Sequence, residues 1–588
     1  MMKSHEWSDS GTIVEWMTAE NGLYVLALVL ALFCRLWLLG KAPLSDKEAG
    51  LALQSLGIAH RESPSLLGPH PGYLLLTAVS FFLMGSNEFA ARIWPALAGI
   101  LLVLAPILFK RYLGRGPALA LAFVLALDPG LNAASRQAGD LMLAVVSVVM
   151  AFGFLLKSNQ SGLGIFTALA LLSGPQAWEG LLGLAIAGTI IYIYHPNIWS
   201  RASIIGGPEG EDFRPKWKNG VLWFLVVLVA VGTLFFLVPN GLSAAVGSLV
   251  SYIQGWAQPT STSILAIILA LVFYEVLILL VGIWGLFWGL IHREPLDLFL
   301  IVWFLISIIL CVAYPARQVS DVVWSLLPLS ALAVRQAFRL ISELRERLVP
   351  SLVASVPVVT FLIFIWMMFV SLSVPGTPQE VLQNRWLAFL MAILLLGLAF
   401  GLIWWGWSLQ VARSGYWLGF AFILAIYTLS AGWNAAGLGE RPDLEIWRGD
   451  AYFQDADLMV STIGDVSEWN DRSRWGIDIA IVGLDSPAVK WALRNYSNTE
   501  NVDVLAVDRS PSLLITADQK EPAVAASYTG QNFTWRQSLA WPLMFPTEWG
   551  RWLAVREAPS EKQVIVLWVR SDLFPGTASL NGSANTGR

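Results

Sequence analysis

Charge is the first thing this chain lacks: of its 588 residues only 13% are Asp, Glu, Lys or Arg, against roughly a quarter in soluble globular proteins. With 56% of residues apolar or aromatic, a wholly soluble protein is excluded. Cysteine is nearly absent. Cys34 and Cys311 both fall in apolar runs, so there is no disulfide framework and the redox compartment stays open. The net charge of -4 offers no strongly basic face, which excludes nucleic acid as the natural partner. No G-x-G-x-x-G loop follows a strand pattern, no C-x-x-C or H-E-x-x-H metal motif occurs, and no internal repeat is visible.

What charge there is lies mostly at one end. From Glu440 to Arg588 the chain carries 34 of its 78 charged residues, 20 of them acidic. Two domains are expected, residues 1–438 in the membrane and 439–588 in water. A spanning helix needs about 20 mostly apolar residues. On that measure thirteen spans are expected, near 23–40, 88–109, 116–131, 139–157, 162–174, 178–194, 219–238, 264–292, 296–314, 321–341, 351–373, 386–410 and 416–434. The run from Pro71 to Gly85 is too short to cross and is expected to lie along the interface. The first span lacks an A-x-A-like cleavage site and is read as uncleaved.

Lys and Arg near span ends gather on one side, Lys110, Arg111, Arg115, Arg293, Arg335 and Arg339 among them. By the positive-inside rule that side is cytoplasmic, which puts the N-terminus inside and the C-terminal tail outside. In the tail, Ile477 to Leu484, Val502 to Val507, Leu513 to Thr516 and Val564 to Val569 read as strands, with a helix from Ser486 to Tyr496 between the first two. The fold class is thus an all-α polytopic membrane protein with a C-terminal extracytoplasmic α/β domain.

Two outer segments carry ionisable residues beside the hydrocarbon. One opens Pro43-Leu-Ser-Asp46-Lys-Glu48-Ala and suits a helix lying on the membrane, whose N-terminus favours acidic residues. The other, Ser135-Arg136-Gln-Ala-Gly-Asp140, sets an arginine and an aspartate at the mouth of a span. Charged groups held there are costly and point to function, although headgroup binding and helix capping explain them too. Glu275 lies inside a span, with Arg35 as its candidate partner. Trp, at 29 residues, concentrates near span ends as an interfacial residue does.

These segments, with Gly68-Pro-His70-Pro71-Gly-Tyr73, Phe82 to Gly99 and Arg136 to Asp140, resemble the opening of the GT-C membrane glycosyltransferases. The branch most resembled contains protein O-mannosyltransferases and the lipid A aminoarabinose transferase, over about residues 20 to 195. The resemblance implies an inverting transferase that moves a sugar from a polyprenyl-phosphate carrier to a lipid, glycan or protein acceptor at the outer face, among membrane lipids. It implies a carboxylate base, Asp46 or Glu48, with Asp140 as a second acid, and His70, Tyr73, Arg92, Arg136 and Arg317 as substrate contacts. No cofactor is implied with certainty, and a divalent cation near the carboxylates stays open. The family shows Asp directly before Glu, whereas Lys47 separates the two acids here. Aligned on Glu48, Lys47 takes the catalytic place, which opens the alternative of a catalytically silent lipid-binding relative. A lipid flippase or secondary transporter is the other alternative, disfavoured by the lack of repeated halves. A bacterial plasma membrane is the expected location.

Overall fold

The computed structural model describes residues 18–61, 67–194, 217–259, 262–344, 347–374, 376–448, 453–506, 508–517, 524–540 and 544–573. The first helix, α1 (Ala19–Leu36), is followed by two helices that pack on one another, α2 (Asp46–Ala59) and α3 (Pro71–Met84). Then come α4 (Glu88–Leu102) and α5 (Pro106–Leu113), α6 (Arg115–Leu127) and α7 (Pro129–Ser135), α8 (Leu141–Leu156), α9 (Gln160–Ser173), α10 (Pro175–Tyr194) and α11 (Trp217–Gly232). The rest of the helical part is α12 (Gly241–Gly255), α13 (Ile264–Tyr274), α14 (Val276–His292), α15 (Pro295–Ala313), α16 (Val323–Leu344), α17 (Leu348–Leu372), α18 (Gln379–Gly406) and α19 (Leu409–Ala435).

Among the described residues seven helices are long and apolar enough to cross a membrane, or nine if the bent pairs α6/α7 and α13/α14 each count as one. The chain is an integral membrane protein. The remaining expected spans fall on α8, α9 and α11, which have 14 to 16 residues, and on the more charged α16. Length and composition together therefore support fewer crossings than thirteen among the described residues. Pro71–Met84 is a separate 14-residue helix, too short to span.

The expected Glu275–Arg35 pair does not form. Arg35 is fully buried and donates to Ala126 O (3.0 Å), Leu125 O (2.8 Å) and Ser135 Oγ (3.2 Å). Those carbonyls belong to the end of α6, which leaves them without helical partners and makes them good acceptors for a guanidinium. Glu275 sits at the 94° break between α13 and α14 and accepts from Gly130 N at 3.0 Å.

The C-terminal part forms a small sheet domain. Its elements are α20 (Ala456–Asp471), β1 (Ile479–Val482), α21 (Pro487–Ala492), β2 (Thr499–Val502), β3 (Leu513–Thr516), β4 (Tyr528–Leu539), α22 (Pro546–Val555) and β5 (Ser560–Arg570). The strands run in the order β2-β1-β3-β5-β4, parallel across β2, β1 and β3 and antiparallel across β3, β5 and β4. The expected second strand is shifted to begin at Thr499, and Val507 lies outside the described residues. Alternation along the strands separates two faces. Ala480, Leu514 and Val566 pack on one, while Ile479, Ile481, Leu513 and Ile515 on the other join a core that runs on into Leu44, Leu51 and Leu74 of the α2 and α3 region. This shared core seats the sheet domain on the first loop of the membrane part.

Candidate functional site

A cavity of about 520 Å³ opens where the start of α2, the 134–142 segment, the α9/α10 turn and the 314–320 loop meet the segment after α19. Its ionisable lining is Lys47, Glu48, His70, Arg92, Arg136, Asp140, Tyr314 and Arg448. Of the eight residues expected at a site, five line it: Glu48, His70, Arg92, Arg136 and Asp140. Asp46, Tyr73 and Arg317 do not line it.

Glu48 is held on all sides. Ser45 caps α2, its Oγ accepting from Glu48 N at 3.3 Å, and Glu48 Oε2 accepts from Ser45 N at 3.0 Å, which is a capping box. Arg92 clamps the carboxylate through Nε to Oε1 (2.9 Å) and Nη2 to Oε2 (2.8 Å), and Ala138 N donates to Oε1 at 2.7 Å. Burial by itself pushes this carboxyl up, but the Arg92 charge and these bonds outweigh it and hold it below the usual range. Arg92 gives its other donors to Leu39 O, Ala42 O and Pro43 O. The pair therefore ties the first loop to the 136–140 loop, and its carboxylate and guanidinium are both saturated by protein. This corrects the expectation that Arg92 contacts substrate and that Glu48 is a free base.

Asp46 points the other way. Its Oδ1 accepts from Ser486 Oγ (2.5 Å) and Ala488 N (3.1 Å), and its Oδ2 is paired with Arg536. It caps the start of α21 and docks the sheet domain, which does not suit a base acting in the cavity. Tyr73 is fully buried, its hydroxyl donating to Ala91 O at 2.8 Å, so it belongs to the packing of α3 against α4. Arg317 reaches Thr262 O at 3.2 Å and the carbonyls at the end of α15. Arg136 donates to the carbonyls of Cys34, Arg35, Trp37, Leu38 and Ala436, and so laces the ends of α1 and α19 together at the cavity wall. Each of these three carried a side-chain type that suits a substrate contact, but each is committed to backbone.

At the far side His70 Nδ1 stands 3.0 Å from Asp140 Oδ2. The contact depends on Gly174, whose φ of +121° lies where side chains are strained and whose Cβ, if present, would be 2.5 Å from Asp140 Oδ2 and 2.9 Å from His70 Nδ1. Burial raises the Asp140 carboxyl, but His70 and then Lys47 outweigh it and hold Asp140 below the ordinary carboxylate range. Asp140 is thus an anion at neutral pH.

Lys47 reaches Gln318 across the cavity mouth. Arg448 and Trp447 enter from the chain after the last membrane helix, Trp447 O accepting from Gln137 Nε2 at 2.8 Å. Burial, then Arg448, then Arg92 push the Arg136 guanidinium down to about 10, which marks a place crowded with like charge. Setting Glu48 against Arg92, the lining holds three cations, Lys47, Arg136 and Arg448, to the one anion Asp140. A positive, half-enclosed cavity beside apolar helices can take a phosphate with an apolar tail. Neither Arg448 nor Gln318 was singled out by sequence, because both reach the site from far along the chain. Among the described residues no group of three or more His, Cys, Asp or Glu is placed to hold a metal ion.

No protein-family model matches the sequence, and no curated protein matches it. Among solved structures, ArnT from Cupriavidus metallidurans in the apo state superposes with a TM-score of 0.53 at 15% identity, covering 94% of this chain and 98% of that one. ArnT from the same organism bound to undecaprenyl phosphate gives 0.52 at 14% identity, over 85% of this chain and 94% of that one. The archaeal oligosaccharyltransferase AglB from Archaeoglobus fulgidus, in complex with an inhibitory peptide and a dolichol-phosphate, is also similar, at a TM-score of 0.40 and 12% identity over 86% and 70%. The fold of this chain, membrane helices and C-terminal sheet domain together, is the GT-C glycosyltransferase fold.

Proposed function

We propose that the protein is an inverting glycosyltransferase that takes a sugar from a polyprenyl-phosphate carrier and delivers it to an acceptor in the cavity, at the outer face of a bacterial plasma membrane. The observation that carries this reading is the cavity itself: net positive, at the junction of the apolar helices and the sheet domain, with one carboxylate that no arginine clamps. Similarity of fold to a protein solved with undecaprenyl phosphate supports it.

In this reaction the acceptor oxygen attacks the anomeric carbon from the face opposite the phosphate. The bond from that carbon to the phosphate oxygen breaks with its electron pair, and the carrier leaves as an anion. Lys47 and Arg448 lie where they can neutralise that charge, and a phosphate that leaves already ionised needs no strong general acid. The acceptor proton goes to the Asp140 side of the cavity, since Glu48 cannot take it without losing Arg92.

A second reading is favoured by one observation. Lys47 stands in the cavity just ahead of the clamped Glu48, the place where the resemblance puts an aspartate, and an ammonium group is a poor base. On that reading the chain binds a polyprenyl phosphate and transfers nothing. Incubating the purified protein with a panel of radiolabelled polyprenyl-phosphate sugars separates the two. Release of label to water or acceptor supports the transferase, whereas retention of undecaprenyl phosphate with no release across the panel supports the silent binder.

A further inference from the structure

Resting on the transferase reading, we propose that the proton acceptor is His70, with Asp140 as its positioning residue, so that a histidine and aspartate pair performs the step the displaced carboxylate cannot. Few groups in the cavity can serve as a base. Glu48 accepts four hydrogen bonds from protein, two of them from a buried arginine, and has no capacity left for an acceptor hydroxyl. Asp46 is turned into the sheet domain. Lys47, Arg136 and Arg448 are cations, suited to phosphate and not to abstraction of a proton. The Tyr314 hydroxyl is protonated and donates to Tyr252 O at 3.1 Å, which leaves His70 and Asp140.

Their arrangement assigns the roles. Asp140 is 10% exposed in its side chain and His70 is 22% exposed, so the imidazole is the more accessible of the two and the carboxylate lies behind it. Nδ1 faces Asp140, and Nε2 has no protein partner among the described residues. Neither Nδ1 nor Asp140 Oδ2 is in hydrogen-bonding geometry at this 3.0 Å approach, so the carboxylate acts through its charge, which stabilises the imidazolium once formed. The charged groups around the pair are Lys47 from the start of α2 and Asp321 from the turn before α16, each of which acts on Asp140 or is acted on by it. Gly174 has no side chain to hold the pair apart.

The step balances. The acceptor O–H proton passes to His70 Nε2, the acceptor oxygen forms its bond to the anomeric carbon, and the phosphate departs with the electron pair of the broken bond. The imidazolium then returns its proton to solvent, and no other reactant is consumed.

Chemical rescue tests the assignment in the full-length protein, using a polyprenyl-phosphate sugar that the wild type turns over. His70→Ala should lower turnover about a hundredfold or more, the scale of general base catalysis, while still binding undecaprenyl phosphate. Free imidazole should restore part of the rate in His70→Ala and none in Asp140→Asn, which keeps its own imidazole, a response that a packing role would not give. If His70→Ala loses lipid binding through misfolding, His70→Gln, which fills the space, carries the same comparison for the loss of rate. Turnover within a few-fold of wild type in either variant, or a lost rate that imidazole leaves unrestored with binding intact, overturns the assignment and leaves the transferase reading standing. A wild type that transfers no sugar from any carrier overturns both.

Discussion

Glu48 and Asp46 sit two positions apart and do opposite work, because successive helical residues point about 100° apart. Glu48 turns in to Arg92 and Ala138, and Asp46 turns out to Ser486 and Arg536. Removing the Glu48 charge leaves a guanidinium buried and unpaired, so Glu48→Gln is expected to cost about 3–5 kcal/mol, read as a lowered unfolding temperature in detergent. Asp46→Asn should cost about 1–2 kcal/mol through weakened docking of the sheet domain, with transfer per folded molecule unchanged. Gly174→Ala forces a Cβ into the His70–Asp140 contact and should lower turnover while undecaprenyl phosphate is still bound. Acid sensitivity follows from the same geometry. The folded Glu48 carboxyl is held below its unfolded value of about 4.3, so its stabilisation is full above that pH and fades as pH falls through the lower folded value. Thermal unfolding followed below about pH 4 should show a steep loss in the wild type and a shallower one in Glu48→Gln. At this scale the sequence exposed which residues were anomalous, since charge beside hydrocarbon is rare, but not what they face. The partner of Glu48 is 44 residues away and that of Asp46 is 440 residues away, separations no spacing rule reaches.

Elements were more legible than contacts wherever apolar content alone decides them. The long spans, the separate short helix Pro71–Met84 and the strands β1, β3 and β5 all follow from hydropathy and alternation. β4 was not anticipated. It is an edge strand of 12 residues with four consecutive exposed positions near its start, Thr529 to Asn532, so the usual alternation of buried and open positions is missing there. Helix α12, which lends Ser251 and Gly255 to the cavity, was missed too, being too short and too polar to read as a span. The element that couples the two parts is α21. It is only six residues long, yet Trp491 Nε1 donates to Glu88 Oε1 at 2.9 Å, its ring packs 5.6 Å from that of Phe81, and Arg494 just beyond it donates to Ser86 O at 2.9 Å. Trp491→Ala should therefore loosen the sheet domain and cost about 3–5 kcal/mol. Limited proteolysis is the check, with faster cleavage between residues 440 and 480 expected in the variant.

The whole molecule places chemistry at a seam. A second anchor, Glu445 with Tyr274 and with Arg556 Nε at 3.0 Å, and Trp552 Nε1 with Leu444 O at 3.0 Å, fastens the same domain to α13. Between the two anchors the chain delivers Trp447 and Arg448 to the cavity. The sheet domain is accordingly part of the site's wall. On the proposed reading, sugar transfer in this cavity runs through its His70–Asp140 side. The most direct measurement is transfer from a polyprenyl-phosphate sugar by Asp140→Asn and Asp46→Asn side by side with the wild type. Loss of transfer in Asp140→Asn, with Asp46→Asn retaining it, is the predicted result. Transfer that survives in Asp140→Asn and vanishes in Asp46→Asn, both variants folded, would contradict the account and return the base to the first loop.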